Sequence, residues 1–372
     1  MSVDGTGIAD LDLLLDSLPE GEKQLFHRLF RVNIAVGELN PPAEMNPWIE
    51  QQFGSVAAVR SQKIIRVTNR VTLEETLFNR LRASRPIEYS QRLAVEAQVI
   101  DVHIAGDPLD TPLASTPEDV FGRVYGKYCL TASNIAKYDG FHGIIIFPEH
   151  NPLNFTRERI IDYLDTGWKW AQQAHAQDPA AKYYFFLWNC LKRAGASLAH
   201  GHAQVTLSRD SHYAKIEALR QASVDYRQKH GAGYFDDIYR IHDALGLGME
   251  KGGVRVMAYL TPTKEKEIVL MGKKLDRSFK ERVFEVLACY RDRMFVTNFN
   301  LALVTPPLDD AKEDWSGHPV VARVVDRGDP TSTSCDIGTM ELYAASVVSS
   351  DPFRVAQVLK ESLQSVVPTV AA

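Results

Sequence analysis

Residues 189–204 read NCLKRAGASLAHGHAQ, and the fold prediction starts from these sixteen residues. The apolar run before it, YYFFLW at residues 183–188, is typical of a buried strand. A second β-prone run begins inside the histidine segment and continues through residues 205–207. Because alternate residues of a strand point to the same face, His200, His202 and Gln204 are predicted to point the same way.

The connection between these two predicted strands is a basic loop of small residues. It contains Lys192, Arg193, Gly195, Ala196 and Ser197. Small residues let backbone N–H groups approach phosphate oxygens closely, and the two cations and the hydroxyl strengthen such a cradle. With two imidazoles and an amide beside it, the loop indicates a site for attack on phosphorus.

Two simpler interpretations of the histidine segment exist. A lone His-x-His pair is ordinarily a pair of surface or hydrogen-bonded core histidines. Histidine pairs are also common zinc ligands. The uninterrupted order of strand, small-residue loop, two histidines and Gln204 favours the phosphate site over both.

The same residues resemble a known family. The stretch is similar to the active-site segment of the histidine-triad superfamily, in its galactose-1-phosphate uridylyltransferase branch. In that branch an Asn precedes a Gly-x-Ser and then a His-x-His-x-Gln. Asn189, Gly195, Ser197 and residues 200–204 match this pattern in order and spacing.

The resemblance implies that His202 is the nucleophile and is transiently nucleotidylated. Gln204, where the hydrolases of the superfamily have His, implies a transferase or phosphorylase, because an amide holds a phosphate oxygen but is neither acid nor base toward water. His200 is expected to orient the site and Ser197 to meet the developing charge. Leu191 replaces a small residue of the family, and Gly201 replaces a Pro between the histidines.

Composition bounds the class of protein. The chain has 372 residues, 45% hydrophobic and 24% charged, with a net charge of −5, which gives no electrostatic case for nucleic acid or an anionic membrane. Its four cysteines form no Cys-x-x-Cys, and no apolar run approaches a membrane span or a signal sequence. We therefore expect a soluble, cytoplasmic protein.

Arginines near the N-terminus match another family segment. Arg82 and Arg85 lie in RASRP, which resembles a family Arg-Ala-x-Arg-Pro whose arginines face substrate phosphate, although a solvated basic turn is the simpler interpretation. Zinc-bearing members have a Cys-x-x-Cys shortly after it, and this chain has none. No cofactor is expected to be required: zinc would need oxygen ligands beside two histidines, His150 and His200.

Two further positions are predicted to bind substrate from the resemblance. Asn134 lies in a stretch that resembles the nucleoside-binding segment of the family, and Glu341 lies in one that resembles its C-terminal Gly-x-Glu with one extra residue. His142 is expected to be structural.

An internal repeat supports the fold prediction. Residues 158–164 parallel 281–287, and the same offset places residues 145–147 on 268–270. We predict an α+β fold of duplicated histidine-triad-like units, each an antiparallel sheet with packed helices. The expected segments are an N-terminal helical arm or extension (1–75), a catalytic half (76–210), a helical connection (211–250) and a degenerate second half (251–372).

The predicted function is nucleotidyl transfer through a nucleotidyl-histidine, moving NMP between a sugar nucleotide and a hexose 1-phosphate. Alternatives are a phosphorylase of a nucleoside diphosphate sugar or dinucleoside polyphosphate, and, in another class, a non-catalytic nucleotide-binding protein. The expected partners are a nucleotide and a sugar phosphate, not nucleic acid or membrane. Family members are often dimers, so a homodimer is one expected state.

Overall fold

A computed structural model describes residues 7–79, 81, 106–330, 332 and 335–365. Two β-sheets organise these residues. One has four strands in the order β1-β2-β3-β13, and the other has nine strands in the order β4-β5-β7-β6-β11-β12-β10-β9-β8. Among the described helices, none is both long and apolar enough to cross a membrane.

The small sheet joins the two ends of the described chain. Its strands are β1 (Phe30–Glu38), β2 (Ser61–Asn69), β3 (Glu75–Asn79) and β13 (Ser346–Val348). The first three are antiparallel, and β13 runs parallel to β3. Four helices accompany it: α1 (Leu11–Ser17), α2 (Glu20–Leu29), α3 (Asn46–Phe53) and α4 (Val56–Arg60).

These elements differ from the predicted N-terminal helical arm. Residues 1–75 contain helices α1 to α4 but also strands β1 and β2, so the helical description is incomplete. Phe30, Val32, Ile34 and Val36 alternate with other residues, and a period of two favours a strand. The sequence prediction followed the leucine spacing of the helices before Phe30 and missed this change of period.

The nine-stranded sheet contains the strands that were predicted to flank the catalytic residues, and all of its strand pairs are antiparallel. Its strands are β4 (Leu130–Ser133), β5 (Phe141–Ile146), β6 (Ala181–Cys190), β7 (His202–Arg209), β8 (Gly248–Lys251), β9 (Val254–Ala258), β10 (Glu265–Gly272), β11 (Phe299–Val304) and β12 (Val320–Asp326).

The strand order confirms the predicted duplication. Outward from the β6–β11 pair at the centre, β6, β7 and β5 lie on one side, and β11, β12 and β10 follow in the same order on the other. Each unit has one long helix between the first and second of these strands in chain order: α6 (Arg157–Gln177) lies between β5 and β6, and α9 (Arg277–Asp292) lies between β10 and β11. The chain is therefore an α+β fold built from two similar units that share one sheet.

Helix α6 holds β5, β6 and β7 in place behind the site. It begins where the hydroxyl of Thr156 accepts a hydrogen bond from the Arg159 N–H at 3.4 Å. Gly167 allows the helix to approach the sheet, because a Cβ there would lie 2.6 Å from the Tyr184 hydroxyl. Trp170, fully buried, packs against Gly143 of β5, where a Cβ would lie 2.8 Å from the indole ring. This packing makes the strands that bear the histidines a rigid support.

The remaining helices lie outside the two repeated strand–helix units. They are α5 (Pro112–Ser115), α7 (Ala214–His230), α8 (Tyr234–Ala244), α10 (Thr339–Tyr343) and α11 (Pro352–Ser365). Helices α7 and α8 occupy the segment between the units, where the sequence predicted a helical connection. The division of the chain into four segments stays a prediction.

Candidate active site

The loop of residues 191–201, which the sequence predicts to be catalytic and which is called the catalytic loop below, connects β6 to β7 at one end of the nine-stranded sheet. Leu191 starts it with φ 69° and ψ 172°, a backbone region that residues other than glycine rarely adopt. Gly195 follows with φ 99°. The loop therefore turns sharply twice, and the first turn stores strain at the position where the family has a small residue.

The loop uses part of its own backbone internally. The N–H groups of Gly195 and Ala196 donate to the carbonyls of Lys192 and Leu191 at 3.0 and 3.2 Å. These two N–H groups, expected to meet phosphate, are thus occupied within the loop. The hydroxyl of Ser197 belongs to an exposed residue of the loop.

The two basic side chains of the loop differ in surroundings. Lys192 is exposed, whereas Arg193 is half-buried. The guanidinium of Arg193 donates to the carbonyls of Arg327 and Ser332, each at 3.0 Å. Arg193 therefore ties the loop to the second unit, and Lys192 is the more accessible cation.

His202 opens strand β7 and is almost fully buried. Its Nδ1 lies 2.7 Å from the carbonyl oxygen of His200, which can only accept a hydrogen bond, so Nδ1 carries the proton. In the neutral ring the lone pair then resides on Nε2. Burial lowers the pKa of His202 below its ordinary value of 6.5, which keeps the imidazole neutral and nucleophilic at neutral pH.

Gln204 shares the face of His202 on β7, and His142 on β5 orients its amide. The Tyr138 N–H donates to His142 Nδ1 at 3.0 Å, so the proton of this imidazole is on Nε2. Nε2 lies 2.8 Å from Gln204 Oε1 and donates to it. The Gln204 amide nitrogen is consequently left as the donor for a phosphate oxygen. His142, expected to be only structural, thus contacts a predicted catalytic side chain.

Asn134 lies beside the same imidazole. Its Oδ1 accepts from the Ala136 N–H at 3.1 Å, and its Nδ2 is 3.3 Å from His142 Nε2. Asn134 and Gln204 therefore both lie next to the His142 imidazole. Burial lowers the pKa of His142, which matches the neutral tautomer that its contacts with Tyr138 and Gln204 require. Because this tautomer has its proton on Nε2, the Asn134 amide nitrogen lies beside the ring as a neighbour and not as a hydrogen-bond partner.

Gly201 pins the histidine segment to the end of β5. Its N–H donates to the His150 carbonyl at 3.0 Å, and its carbonyl accepts from the Phe147 N–H at 2.9 Å. A Cβ at this position would lie 2.8 Å from the Glu149 carbonyl oxygen. A proline, which the family has here, would lack the N–H donor, so the departure from the family fits a different local packing.

His200 lies in the loop, because β7 begins two residues later. Its ring centroid is 5.4 Å from that of His150. Two acidic residues that the sequence analysis missed complete this cluster, Asp107 and Asp110. One ligand atom from each of the four side chains lies within 4.8 Å of the others, an arrangement that could hold a metal ion.

Hydrogen bonding around His200 supports this fit. Its Nε2 donates to the Phe147 carbonyl at 3.0 Å, which directs the Nδ1 lone pair toward Asp110 at 3.2 Å and Asp107 at 4.0 Å. A lone pair that faces two carboxylates is repelled unless a proton or a metal ion lies between them. Imidazole and carboxylate donors are ligands of zinc.

The remaining predicted residues do not join this cluster. Glu341 lies in α10, beside β13 of the small sheet, and its carboxylate accepts from the Gly338 N–H at 2.9 Å as the cap of its own helix. Arg82 and Arg85 lie outside the described residues.

Several solved structures are similar to this fold. No family model and no curated protein matches the chain. Among solved structures, an ADP-glucose phosphorylase from Arabidopsis thaliana with bound ADP-glucose is similar, with a TM-score of 0.61 and 17% identity over 80% of this chain and 98% of that one. A uridylyltransferase has a TM-score of 0.56 and 15% identity over 82% and 99%.

A GalT-like protein from Arabidopsis thaliana is also similar, with a TM-score of 0.56 and 18% identity over 69% of this chain and 92% of that one. At identities of 15–18%, these likenesses confirm the predicted α+β fold, which the chain shares with the three structures.

Proposed function

We propose that the chain is a nucleotidyltransferase that forms a covalent nucleotidyl intermediate on His202. One observation carries the proposal: the His202 Nδ1–H is held by the His200 carbonyl at 2.7 Å, which leaves the Nε2 lone pair as a nucleophile in a buried, neutral ring. The similarity in fold to an ADP-glucose phosphorylase and a uridylyltransferase supports the same reaction class.

The proposed reaction has two steps. In the first, His202 Nε2 attacks the α-phosphorus of a sugar nucleotide, an N–P bond forms, and the P–O bond to the sugar phosphate breaks. In the second, a phosphate oxygen of the acceptor attacks the same phosphorus, and the N–P bond breaks. The acceptor proposed here is a hexose 1-phosphate, as in a UDP-glucose-dependent uridylyltransferase.

Donors around His202 would stabilise the charge that develops on the phosphoryl oxygens. The Gln204 amide nitrogen is oriented for this by His142 at 2.8 Å, and the Ser197 hydroxyl and the Lys192 ammonium belong to exposed loop residues. Preoriented donors need no reorganisation during the reaction, which is why they accelerate it.

We further propose that Asp107, Asp110, His150 and His200 hold a divalent metal ion such as zinc. A metal at this place would supply rigidity, because it would tie the loop to the end of β5 and to residues 107–110. The metal would also help to fix the orientation of the His202 ring, because its Nδ1–H donates to the carbonyl of His200.

The test is the intact mass of the protein after incubation with UDP-, ADP- or GDP-glucose or diadenosine tetraphosphate, without an acceptor. We expect a gain of one nucleotide in the wild type and none in His202→Ala. His27→Ala, at an exposed histidine of α2, is the matched control and should form the adduct normally.

Adding galactose 1-phosphate, glucose 1-phosphate or inorganic phosphate to the isolated adduct would then identify the acceptor. Discharge by inorganic phosphate alone would change the assignment to a phosphorylase. Nucleotide binding without any adduct would leave the chain a non-catalytic binding protein and refute the proposal.

A further inference from the structure

The two units meet at the catalytic loop. Strand β6 ends at the loop, and Asn189 near this end lies directly opposite Asn300 of β11, in the register of the antiparallel pair. Asn189 belongs to the predicted site, whereas Asn300 belongs to the unit that has no histidine pair. The second unit therefore places a side chain of β11, the strand that pairs with β6, beside the site.

The orientation of the Asn300 amide follows from its partner Arg327. The guanidinium has only donors, and its Nη1 lies 2.7 Å from Asn300 Oδ1, so this oxygen accepts. Asn300 Nδ2 is left to donate, and it does so to Asn189 Oδ1 at 2.7 Å and to the Ala194 carbonyl at 2.8 Å. Of its two protons, one is thus used on the catalytic loop and the other on Asn189 of β6.

The orientation of Asn189 follows in turn. Its Oδ1 accepts from Asn300, so its Nδ2 is the group that faces the loop. This nitrogen would lie 3.9 Å from a Cβ placed on Gly195. These hydrogen bonds run from Arg327 through Asn300 to Asn189. Because a guanidinium has no acceptor, their direction is fixed, and they leave an N–H donor of Asn189 at the predicted phosphate site.

Arg327 is itself fixed. Its Nε and Nη2 form a bidentate pair with Asp336 at 2.8 and 2.9 Å, and both side chains are largely buried. Its carbonyl accepts from Arg193 of the loop at 3.0 Å. Burial alone would raise the pKa of Asp336, but the hydrogen bonds and charge of Arg327, with the charges of Lys264 and Arg193, hold that pKa below its usual value.

We propose that Asn300, Arg327 and Asp336 are positioning residues of the second unit, which lock the Asn189 amide with its nitrogen toward the transferred phosphoryl group. This inference rests on the proposed function. The unit without a nucleophile then has a direct part in the reaction, since it sets the direction of one donor in the site of the other unit.

Asn300→Asp tests the chain with little change of shape. The new carboxylate still accepts from Arg327, but it cannot donate, and it faces Asn189 Oδ1 and the Ala194 carbonyl. Asn189 can relieve this repulsion by turning its amide through 180°, which would direct Oδ1 at the phosphoryl oxygens. An acceptor would replace a donor exactly where negative charge develops.

The experiment is single-turnover formation of the nucleotidyl adduct, followed by mass, with whichever sugar nucleotide labels the wild type. We expect Asn300→Asp to slow adduct formation by about 100-fold, the lower end of the range for loss of one oriented donor, with less than about 3-fold change in donor affinity. Asn33→Asp, the same change at an exposed strand residue of β1, should leave the rate unchanged.

A double-mutant cycle separates positioning from general damage. In an Asn189→Ala background, Asn300→Asp should cost less than about 3-fold, because no amide remains to be turned. Equal losses in both backgrounds would overturn the inference. Arg327→Lys is the second variant: one ammonium cannot contact Asp336 and Asn300 together, so a smaller loss is expected, again only when Asn189 is present.

Failure of the inference and failure of the proposed function give different results. A wild type that forms no adduct removes both. A wild type that forms the adduct, with Asn300→Asp reacting at the same rate, removes only the inference.

Discussion

Replacing Asp110 with Ala should abolish most of the stabilisation that Zn²⁺ gives to the folded protein. Asp110 is one of four residues whose ligand atoms lie within 4.8 Å of one another, and its side chain is partly exposed. Its loss leaves Asp107, His150 and His200 as a three-donor site. The perturbation therefore acts on metal affinity with little effect on the core.

The expected magnitude follows from binding linkage. Zinc at 100 times its dissociation constant stabilises the native state by about 2.7 kcal/mol. Unfolding entropy of about 2.1 cal/mol/K per residue gives roughly 0.8 kcal/mol/K for 372 residues, so Tm should rise by about 3 °C. If loss of one donor weakens binding about 100-fold, the same zinc concentration stabilises by only about 0.4 kcal/mol, or about 0.5 °C.

The assay is thermal unfolding of chelator-treated protein with and without ZnCl₂, with metal content measured in parallel. Asp16→Ala, at an exposed acidic residue of α1, is the matched control and should keep the full shift. An equal zinc shift in wild type and Asp110→Ala, or no shift in the wild type, would refute the metal site.

Three further predictions concern protonation and packing. The rate of adduct formation should fall on acidification with a midpoint below pH 6.5, because burial lowers the pKa of the attacking His202 and only the neutral ring is nucleophilic. The free energy of unfolding should fall from pH 6.5 to 4, because burial lowers the pKa values of His212, His242 and His318 to about 4 and these rings take up protons only on unfolding. The limiting slope is roughly 1.4 kcal/mol per pH unit for each histidine. Gly201→Ala should destabilise the protein by about 1–3 kcal/mol in urea unfolding, since its Cβ would lie 2.8 Å from a backbone oxygen.

Each of these three has a measurement that decides it. A midpoint above pH 6.5 for adduct formation would contradict a neutral, buried nucleophile. His242→Gln should reduce the pH dependence of stability by about one third of the slope expected for three histidines, and an unchanged slope would contradict the assignment. Gly231→Ala, at a glycine with open space but φ 67°, separates backbone strain from the close contact of Gly201.

The candidate site was predictable where its residues are close in the chain. Residues 189–204 contain the strand end, the loop and the nucleophile in order, so local pattern was sufficient. Asp107 and Asp110 were missed because they lie about 90 residues before His200 and are not thiols. Their Asp-x-x-Asp spacing equals that of the absent Cys-x-x-Cys, and this signal could have found them.

Contacts between side chains on neighbouring strands could not be predicted from the local sequence. The direction of the Gln204 amide depends on His142, and that of Asn189 depends on Asn300, through strand registers that no local period encodes. The same holds for β13, which pairs with β3 from the other end of the described chain. The fold class followed from the order of predicted strands and helices and from the family resemblance, with support from the internal repeat, whereas the small sheet needed contacts between distant residues.

During synthesis of the chain, strand β6 is made well before its partner β11. Cys190 of β6 pairs with Phe299 of β11, which lies 109 residues later. At about 5–20 residues per second, a ribosome needs roughly 5–22 s to produce that partner. During this interval β6 has one edge with unpaired backbone groups next to the completed catalytic loop. An unpaired edge invites pairing with other nascent chains, so chaperones should engage this protein most strongly between the emergence of β7 and that of β11.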